Sequence, residues 1–248
     1  MTVPENNQNP WTRDFTAAAQ GAPRLVCFPH AGGSAAYFRP LAQAVAPGVR
    51  ASAVQYPGRQ DRRHEPFLDS VPALAEAAFE ALRQELTGPF AFFGHSLGAV
   101  VAFEVARRFE QLTAQGPTRL FASARRAPSV AGEEQVHLLD DTGLLTELER
   151  LGGTESAVLA DADLRALVLP VVRADYRAVE SYRAAPGARV TCPVTVFVGD
   201  ADPVTPVSDA AAWEGDTTKG ADVQVFQGGH FYLDRHTAAV ASAIAAAM

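Results

Sequence analysis

A short glycine-flanked motif near the middle of the chain constrains the fold more than any other feature. The motif, Gly94-His95-Ser96-Leu97-Gly98, follows an apolar run at Phe90–Phe93 and precedes a helical pattern at Ala99–Leu112. A Gly-x-Ser-x-Gly motif between a strand and a helix predicts a sharp turn that exposes the serine hydroxyl at the carboxyl edge of a sheet. The alternative is that Ser96 only caps the helix. The strand before it and the helix after it favour the exposed turn.

Short apolar runs alternate with helical patterns along most of the 248 residues. This alternation predicts an α/β protein whose sheet is mainly parallel and is flanked by helices. The predicted strands are Arg24–Phe28, Ala51–Tyr56, Phe90–Phe93, Arg119–Ala124, Val194–Val198 and Val223–Phe226, and helices are predicted at Ser70–Leu86, Ala99–Leu112 and Asp234–Met248.

The length and the 48% hydrophobic content suit a single domain over residues 1–248. Residues 1–20 are interpreted as a polar N-terminal leader. Between 128 and 187 there are helical patterns but no convincing strand, which predicts a helical lid inserted over the active site. Its leucine stripe at 144, 145, 148 and 151 suits either the core of the lid or an acyl pocket.

Composition and missing motifs exclude several kinds of function. The net charge of −7 opposes binding to nucleic acid. The chain has neither the apolar core of a signal peptide near its start nor an apolar run long enough to span a membrane, so we expect a cytoplasmic protein without a membrane partner. Metal-ligand spacings and a phosphate-binding loop are also missing, and we therefore expect no metal and no cofactor.

A serine nucleophile needs a base to take its proton and an acid to orient that base. The chain supplies them in the order Ser96, Asp202 and His230, and both later residues follow predicted strands. Nucleophile, acid and histidine occur in this order in the α/β-hydrolase fold, which we therefore predict. The predicted catalytic residues are Ser96, Asp202 and His230.

Each of the two later positions has rivals. Asp202 lies beyond the strand end and before a proline, whereas Asp200 is closer to the strand and suits a turn-capping role. Asp209 is a more distant third candidate. His236 falls in the predicted C-terminal helix, whereas His230 lies in a loop directly after a strand, where a catalytic histidine is expected.

The negative charge that develops on the substrate oxygen requires two hydrogen-bond donors. In this fold they are the backbone N–H after the nucleophile and an N–H from the loop after an earlier strand. Leu97 and Ala31 occupy these places, and Gly32 and Gly33 allow the second loop a close approach. An ordinary glycine-rich turn is the alternative.

Six segments between about Leu25 and Leu233 carry a resemblance to a known family: Cys27–Gly33, Gln55–Arg59, Gly94–Ala99, Arg125–Pro128, Leu169–Pro170 with Arg173–Asp175, and Gly228–Phe231. Together they resemble the type II thioesterases of polyketide and nonribosomal peptide synthesis. That resemblance implies a stand-alone editing enzyme that hydrolyses stalled acyl groups from the phosphopantetheine arm of acyl or peptidyl carrier proteins, its expected partners. Residues 56–59 are the most discriminating piece.

Two other functions remain open from the sequence. The same catalytic residues would serve a carboxylesterase or lipase that acts on free esters, and a non-catalytic relative would bind a small molecule or a partner. Several residues of the predicted lid, together with Arg59, suit either substrate contact or packing, and packing is the interpretation that we favour for the lid residues among them. These residues are Arg59, Arg173, Asp175, Tyr176 and Tyr182.

Overall fold

The computed structural model describes residues 9–152 and 161–248. Within them, seven strands form one sheet in the order β1-β3-β2-β4-β5-β6-β7. The first strand pairs antiparallel with β3, and all the other neighbours are parallel. The predicted α/β-hydrolase fold is confirmed. The strands are β1 Thr12–Asp14, β2 Arg24–Phe28, β3 Arg50–Val54, β4 Phe90–His95, β5 Leu120–Ser123, β6 Val194–Gly199 and β7 Ala221–Phe226.

Helices cover both faces of this sheet, as its central strands require. All residues of β4, β5 and β6 are buried, which is typical of parallel strands packed on both sides. Helices α2 and α3 bury their apolar stripes on one face, and α1 and the C-terminal helix α7 on the other. The helices are α1 Arg39–Val45, α2 Val71–Leu82, α3 Leu97–Leu112, α4 Asp141–Leu151, α5 Ala162–Glu180, α6 Val207–Ala211 and α7 Leu233–Ala247.

The predicted strands and helices lie where the sequence places them, with ends that differ by a few residues. Ser70 accepts a hydrogen bond from the Ala73 N–H and caps α2. No helix among the described residues combines the length and the apolar character that crossing a membrane requires.

The structure adds a strand within the predicted polar leader. Thr12–Asp14 pairs with β3 at the edge of the sheet, and Asp14 forms an ion pair with Arg50 at 2.7 Å. A three-residue edge strand needs no apolar run, because its outer side faces water. The sequence therefore carried no periodic signal for it. Residues 1–8 of the leader lie outside the described part of the chain.

The segment predicted as a lid lies between β5 and β6. Its described residues form α4 and α5 and contain no strand. Leu144 and Leu148 of α4 pack with Leu169 and Val172 of α5 in a small apolar cluster of their own. Residues 153–160 of the insertion are outside the described part, and its role as a lid stays a prediction.

Candidate active site

Ser96 occupies a strained turn between β4 and α3. Its φ of 53° and ψ of −117° lie outside the backbone regions that residues other than glycine prefer. The two flanking glycines are required by close backbone contacts, since a Cβ on Gly94 would lie 2.2 Å from the Gly98 carbonyl oxygen. A Cβ on Gly98 would lie 1.9 Å from the Phe28 carbonyl oxygen. The turn can therefore form only with glycine at both positions.

Asp202 and His230 meet at the same edge of the sheet. Because β6 and β7 are parallel neighbours, the loops that follow them begin side by side. His230 Nδ1 lies 2.9 Å from Asp202 Oδ2, and both residues are buried. A carboxylate only accepts hydrogen bonds, so Nδ1 carries the proton and Nε2 is left as the acceptor. The other oxygen of Asp202 accepts the N–H groups of Val204 and Thr205.

The rival residues have other partners. Asp200 is exposed, and its Oδ1 accepts the Gly228 N–H at 2.8 Å. His236 contacts the Gln227 carbonyl oxygen through Nε2 at 2.8 Å. Asp209 lies on α6, where it is half-buried. Of these acidic residues, Asp202 is the one that contacts His230.

Ser96 and His230 line a common cavity of about 80 Å³, with Ala31 beside them. The insertion supplies much of the remaining wall. A smaller adjoining cavity also contains Ser96 and is lined by Leu148 of α4. The other residues around the larger cavity are Arg125, Glu134, Val136, Glu147, Arg150, Leu151, Tyr176, Val179, Glu180, Pro203 and Val204.

Both residues predicted to supply oxyanion donors lie near the serine, since Ala31 lines the same two cavities as Ser96 and Leu97 follows it in the chain. Ala31 lies in a turn that is closed by a hydrogen bond from the Gly33 N–H to the His30 carbonyl oxygen at 2.9 Å. Within the described part of the chain, the Ala31 N–H has no hydrogen-bond acceptor. Leu97 is the first residue of α3, where N–H groups lack partners in the helix and the helix dipole favours negative charge.

Two further histidines surround the site in neutral form. Burial lowers the pKa of His30 to about 3, with a smaller effect of the neighbouring His230. Burial also lowers the pKa of His95 well below its ordinary value. His95 Nδ1 lies 2.9 Å from Ser123 Oγ, which in turn contacts the Tyr232 hydroxyl. A positive charge that forms on His230 therefore meets no second imidazolium.

Sequence reasoning missed the charged groups of the cavity wall. Glu134, Glu147 and Glu180 come from three separate segments, and no local pattern connects them. Arg125 was noted within a motif without a role. Burial, together with the charge of Arg126, lowers the pKa of Arg125 to about 10. The cavity is therefore more polar than the leucine stripe of the lid suggests.

The five residues that suited either substrate contact or packing fall into two groups in the structure. Arg59 and Asp175 form an ion pair that is nearly inaccessible to solvent. The Tyr182 hydroxyl donates to Glu104 at 2.7 Å, and Arg173 donates to Asp141 at 2.7 Å. These four residues pack or pair within the protein, whereas Tyr176 lines the cavity.

The leucine stripe of α4 lies partly in the apolar cluster between α4 and α5 and partly at the wall of the two cavities. Leu144 is fully buried in the cluster between α4 and α5. Leu148 belongs to that cluster and also borders the smaller cavity, and Leu151 borders both cavities.

The sheet order, the turn at Ser96 and the two loops that carry Asp202 and His230 define a protein of the α/β-hydrolase class. The model of the thioesterase domain family matches residues 23–248. The chain therefore belongs to the thioesterase family, whose members are thioester hydrolases.

Similar proteins include thioesterases of biosynthetic pathways. The chain is 51% identical over 227 residues to the thioesterase PikA5 of Streptomyces venezuelae, covering 90% of this chain and 80% of that protein. It is 44% identical over 248 residues to a probable cadicidin biosynthesis thioesterase of Streptomyces griseus, covering 100% of this chain and 68% of the relative. The type II thioesterase BorB of the borrelidin cluster superposes with a TM-score of 0.88 at 44% identity, over 96% of this chain and 97% of that one.

Proposed function

We propose that the protein hydrolyses acyl groups from the phosphopantetheine arm of carrier proteins. The observation that carries this proposal is the joint arrangement of Ser96 in its strained turn and the His230–Asp202 pair on one cavity. Support for the substrate class comes from the similarity to biosynthetic thioesterases, among them BorB. A carrier-bound acyl thioester is the substrate that this chemistry and this family favour.

In the proposed first step, Ser96 Oγ attacks the thioester carbonyl carbon while its proton passes to His230 Nε2. The oxyanion accepts hydrogen bonds from the N–H groups of Ala31 and Leu97. The C–S bond then breaks, and the proton on His230 passes to the departing sulfur. The acyl group remains on Ser96 as an ester.

Water completes the cycle by the same route. His230 takes a proton from water as the oxygen attacks the acyl-enzyme, and it returns the proton to Ser96 when the ester bond breaks. Asp202 holds the tautomer that leaves Nε2 available and stabilises the imidazolium. The free acid is the product, and no cofactor takes part. The small cavity favours short acyl groups.

Mass spectrometry of acyl-loaded carrier proteins tests this function. The enzyme and its Ser96→Ala variant are each mixed with carriers that bear acetyl, propionyl or longer acyl groups, and loss of the acyl mass is followed with time. The same acyl groups on simple oxygen esters serve as the matched substrates. We expect wild type to clear short acyl groups from carriers, and Ser96→Ala to reduce turnover by ~10⁶-fold, since it removes the nucleophile.

Two results would contradict the proposal in different ways. Hydrolysis of oxygen esters without hydrolysis of any carrier-bound group would remove the carrier as substrate and leave a free-ester hydrolase. Substantial turnover by Ser96→Ala would remove the assigned nucleophile. Thermal unfolding of the variant provides the control, because the loss of one hydroxyl should leave the fold intact.

A further inference from the structure

The turn that carries the Ala31 N–H is held by a buried ion pair from two other parts of the chain. Asp175 lies on α5 and has no exposed surface, and Arg59 lies in the loop after β3. Asp175 Oδ2 accepts from Arg59 Nη2 and also from the Gly32 N–H, the latter at 2.7 Å. One carboxylate oxygen therefore joins the lid segment, the β3 loop and the oxyanion turn.

The bond to Gly32 fixes the orientation of one particular peptide. Residues 30–33 form a turn with a φ of +74° at Gly32, its third residue, and this corresponds to a type II turn. Type I and type II turns differ by a flip of the central peptide, which here joins Ala31 to Gly32. A buried acceptor for the Gly32 N–H selects the type II orientation, and with it the ψ angle of Ala31.

Further contacts hold the same turn and the residues that follow it. A Cβ on Gly32 would lie 2.6 Å from Val172 Cγ2, so α5 packs directly against the turn. Val172 and Asp175 are three residues apart on one face of that helix. Just after the turn, the Ala35 N–H donates to Gln55 at 2.9 Å, and Gln55 in turn donates to the Arg59 carbonyl oxygen at 3.1 Å, which links this part of the chain to the loop of Arg59.

Burial makes this arrangement sensitive to the loss of either charge. Desolvation raises the pKa of Asp175, and the nearby Arg59 opposes that rise and favours the carboxylate. Arg59 is itself fixed by donating to the Pro57 carbonyl oxygen at 2.6 Å. A buried ion pair of this kind fixes the relative position of the segments that carry it, because either partner alone would be an uncompensated buried charge.

We propose that Asp175 is a positioning residue for the oxyanion hole. It anchors the turn at residues 30–33 through the Gly32 N–H, so that the Ala31 N–H of the same turn stays directed at the developing oxyanion beside Ser96, and Arg59 holds Asp175 in place. Neither residue lines the cavity beside Ser96. Their contribution is therefore expected in the transition state and not in substrate binding. This inference rests on the proposed roles of Ser96 and Ala31.

The decisive experiment measures the rate at which a fluorophosphonate labels Ser96 in wild type, Asp175→Asn and Asp216→Asn. Asp216 is the matched control, because its buried carboxylate accepts a loop N–H, that of Ser129, at 3.0 Å and lies outside both cavities. Phosphonylation uses the same oxyanion donors and needs no carrier protein. kcat and KM for a thioester and the thermal midpoint are measured on the same samples.

We expect Asp175→Asn to lower the labelling rate and kcat by on the order of 10²-fold, with KM changed by less than about twofold. Asp216→Asn should lower the thermal midpoint while its rates remain those of wild type. If folded Asp175→Asn labels at the wild-type rate, the positioning role is wrong and the pair is only structural.

A second variant keeps the inference testable if Asp175→Asn does not fold. Arg59→Lys keeps the positive charge but loses the planar fork that contacts Asp175 and the Pro57 carbonyl oxygen together. We expect a slowing of about tenfold in labelling, again without a matching change in KM. A wild-type rate in this variant would overturn the inference. Failure of wild type itself to label would instead contradict the proposed function.

Discussion

The buried histidine next to the oxyanion turn makes the stability of the protein depend on pH. The His30 ring packs edge-on against Tyr37 and Phe231, with centroids at 4.5 and 4.9 Å. Burial lowers its pKa from the ordinary 6.5 to about 3, and the neighbouring His230 and Arg59 act in the same direction. In acid, the unfolded chain therefore binds a proton at His30 that the folded protein excludes.

The size of the effect follows from these two values. A histidine whose pKa is lower in the folded state gives full stability above 6.5 and loses it as the pH falls toward 3. Between about pH 7.5 and about pH 5, this linkage removes about 2 kcal/mol of unfolding free energy through His30 alone. Any folded-state pKa below ~4 gives nearly the same result. His95 acts in the same direction.

Urea unfolding of wild type and His30→Gln at the two pH values measures this contribution. Glutamine does not titrate, so the variant should lose about 2 kcal/mol less than wild type on acidification. The comparison uses the change between the two pH values, because the substitution also alters packing. His64→Gln, at an exposed loop position, is the control and should keep the wild-type change. An equal loss in wild type and His30→Gln would refute the reasoning.

Two more substitutions, each with a matched comparison variant, test the site and the fold. Asp202→Asn should lower kcat by ~10⁴-fold, because it favours the wrong histidine tautomer. Asp200→Asn should lower the free energy of unfolding by about 1 kcal/mol and kcat by less than about tenfold. If steady-state kinetics gave the reverse ranking, the catalytic acid would be Asp200. Gly98→Ala should destabilise the protein by about 3 kcal/mol or more, because its Cβ would lie 1.9 Å from the Phe28 carbonyl oxygen. Gly215→Ala, where a Cβ meets nothing within 4 Å, is the control in thermal unfolding, and equal midpoints for the two variants would contradict the contact argument.

The parts of the fold that the sequence predicts are those with local signals. A buried parallel strand such as β4 is a continuous apolar run, and the Gly-x-Ser-x-Gly turn follows it directly. Asp202 and His230 were also predictable, because strand ends in a parallel sheet share one edge and the order of the residues is characteristic. Strand β1 was not predictable, since three polar residues at an edge have no period.

Contacts between distant segments form the part of the site that the sequence did not reveal. Arg59 and Asp175 are 116 residues apart, and neither has a neighbour in the chain that suggests the pair. The same holds for Glu134 and Glu180, which reach the cavity from different segments. Such residues are exposed or buried according to how the insertion packs on the sheet. Packing of this kind depends on the whole fold and not on the local pattern.

The segment at 56–59 was the most discriminating part of the resemblance, yet it does not line the cavity beside Ser96. Arg59 instead forms the buried ion pair with Asp175, and the Tyr56 ring centroid lies 5.2 Å from the Arg59 guanidinium carbon. Other hydrolases share a serine, an acid and a histidine, so those residues define only the chemistry. If Asp175 positions the turn, this segment supports the reaction from behind, and helix α5, which carries Asp175, is part of the same support. A substitution in the segment should then alter kcat for every acyl chain length alike, whereas a substitution of the wall residue Leu151 should alter the preference among chain lengths.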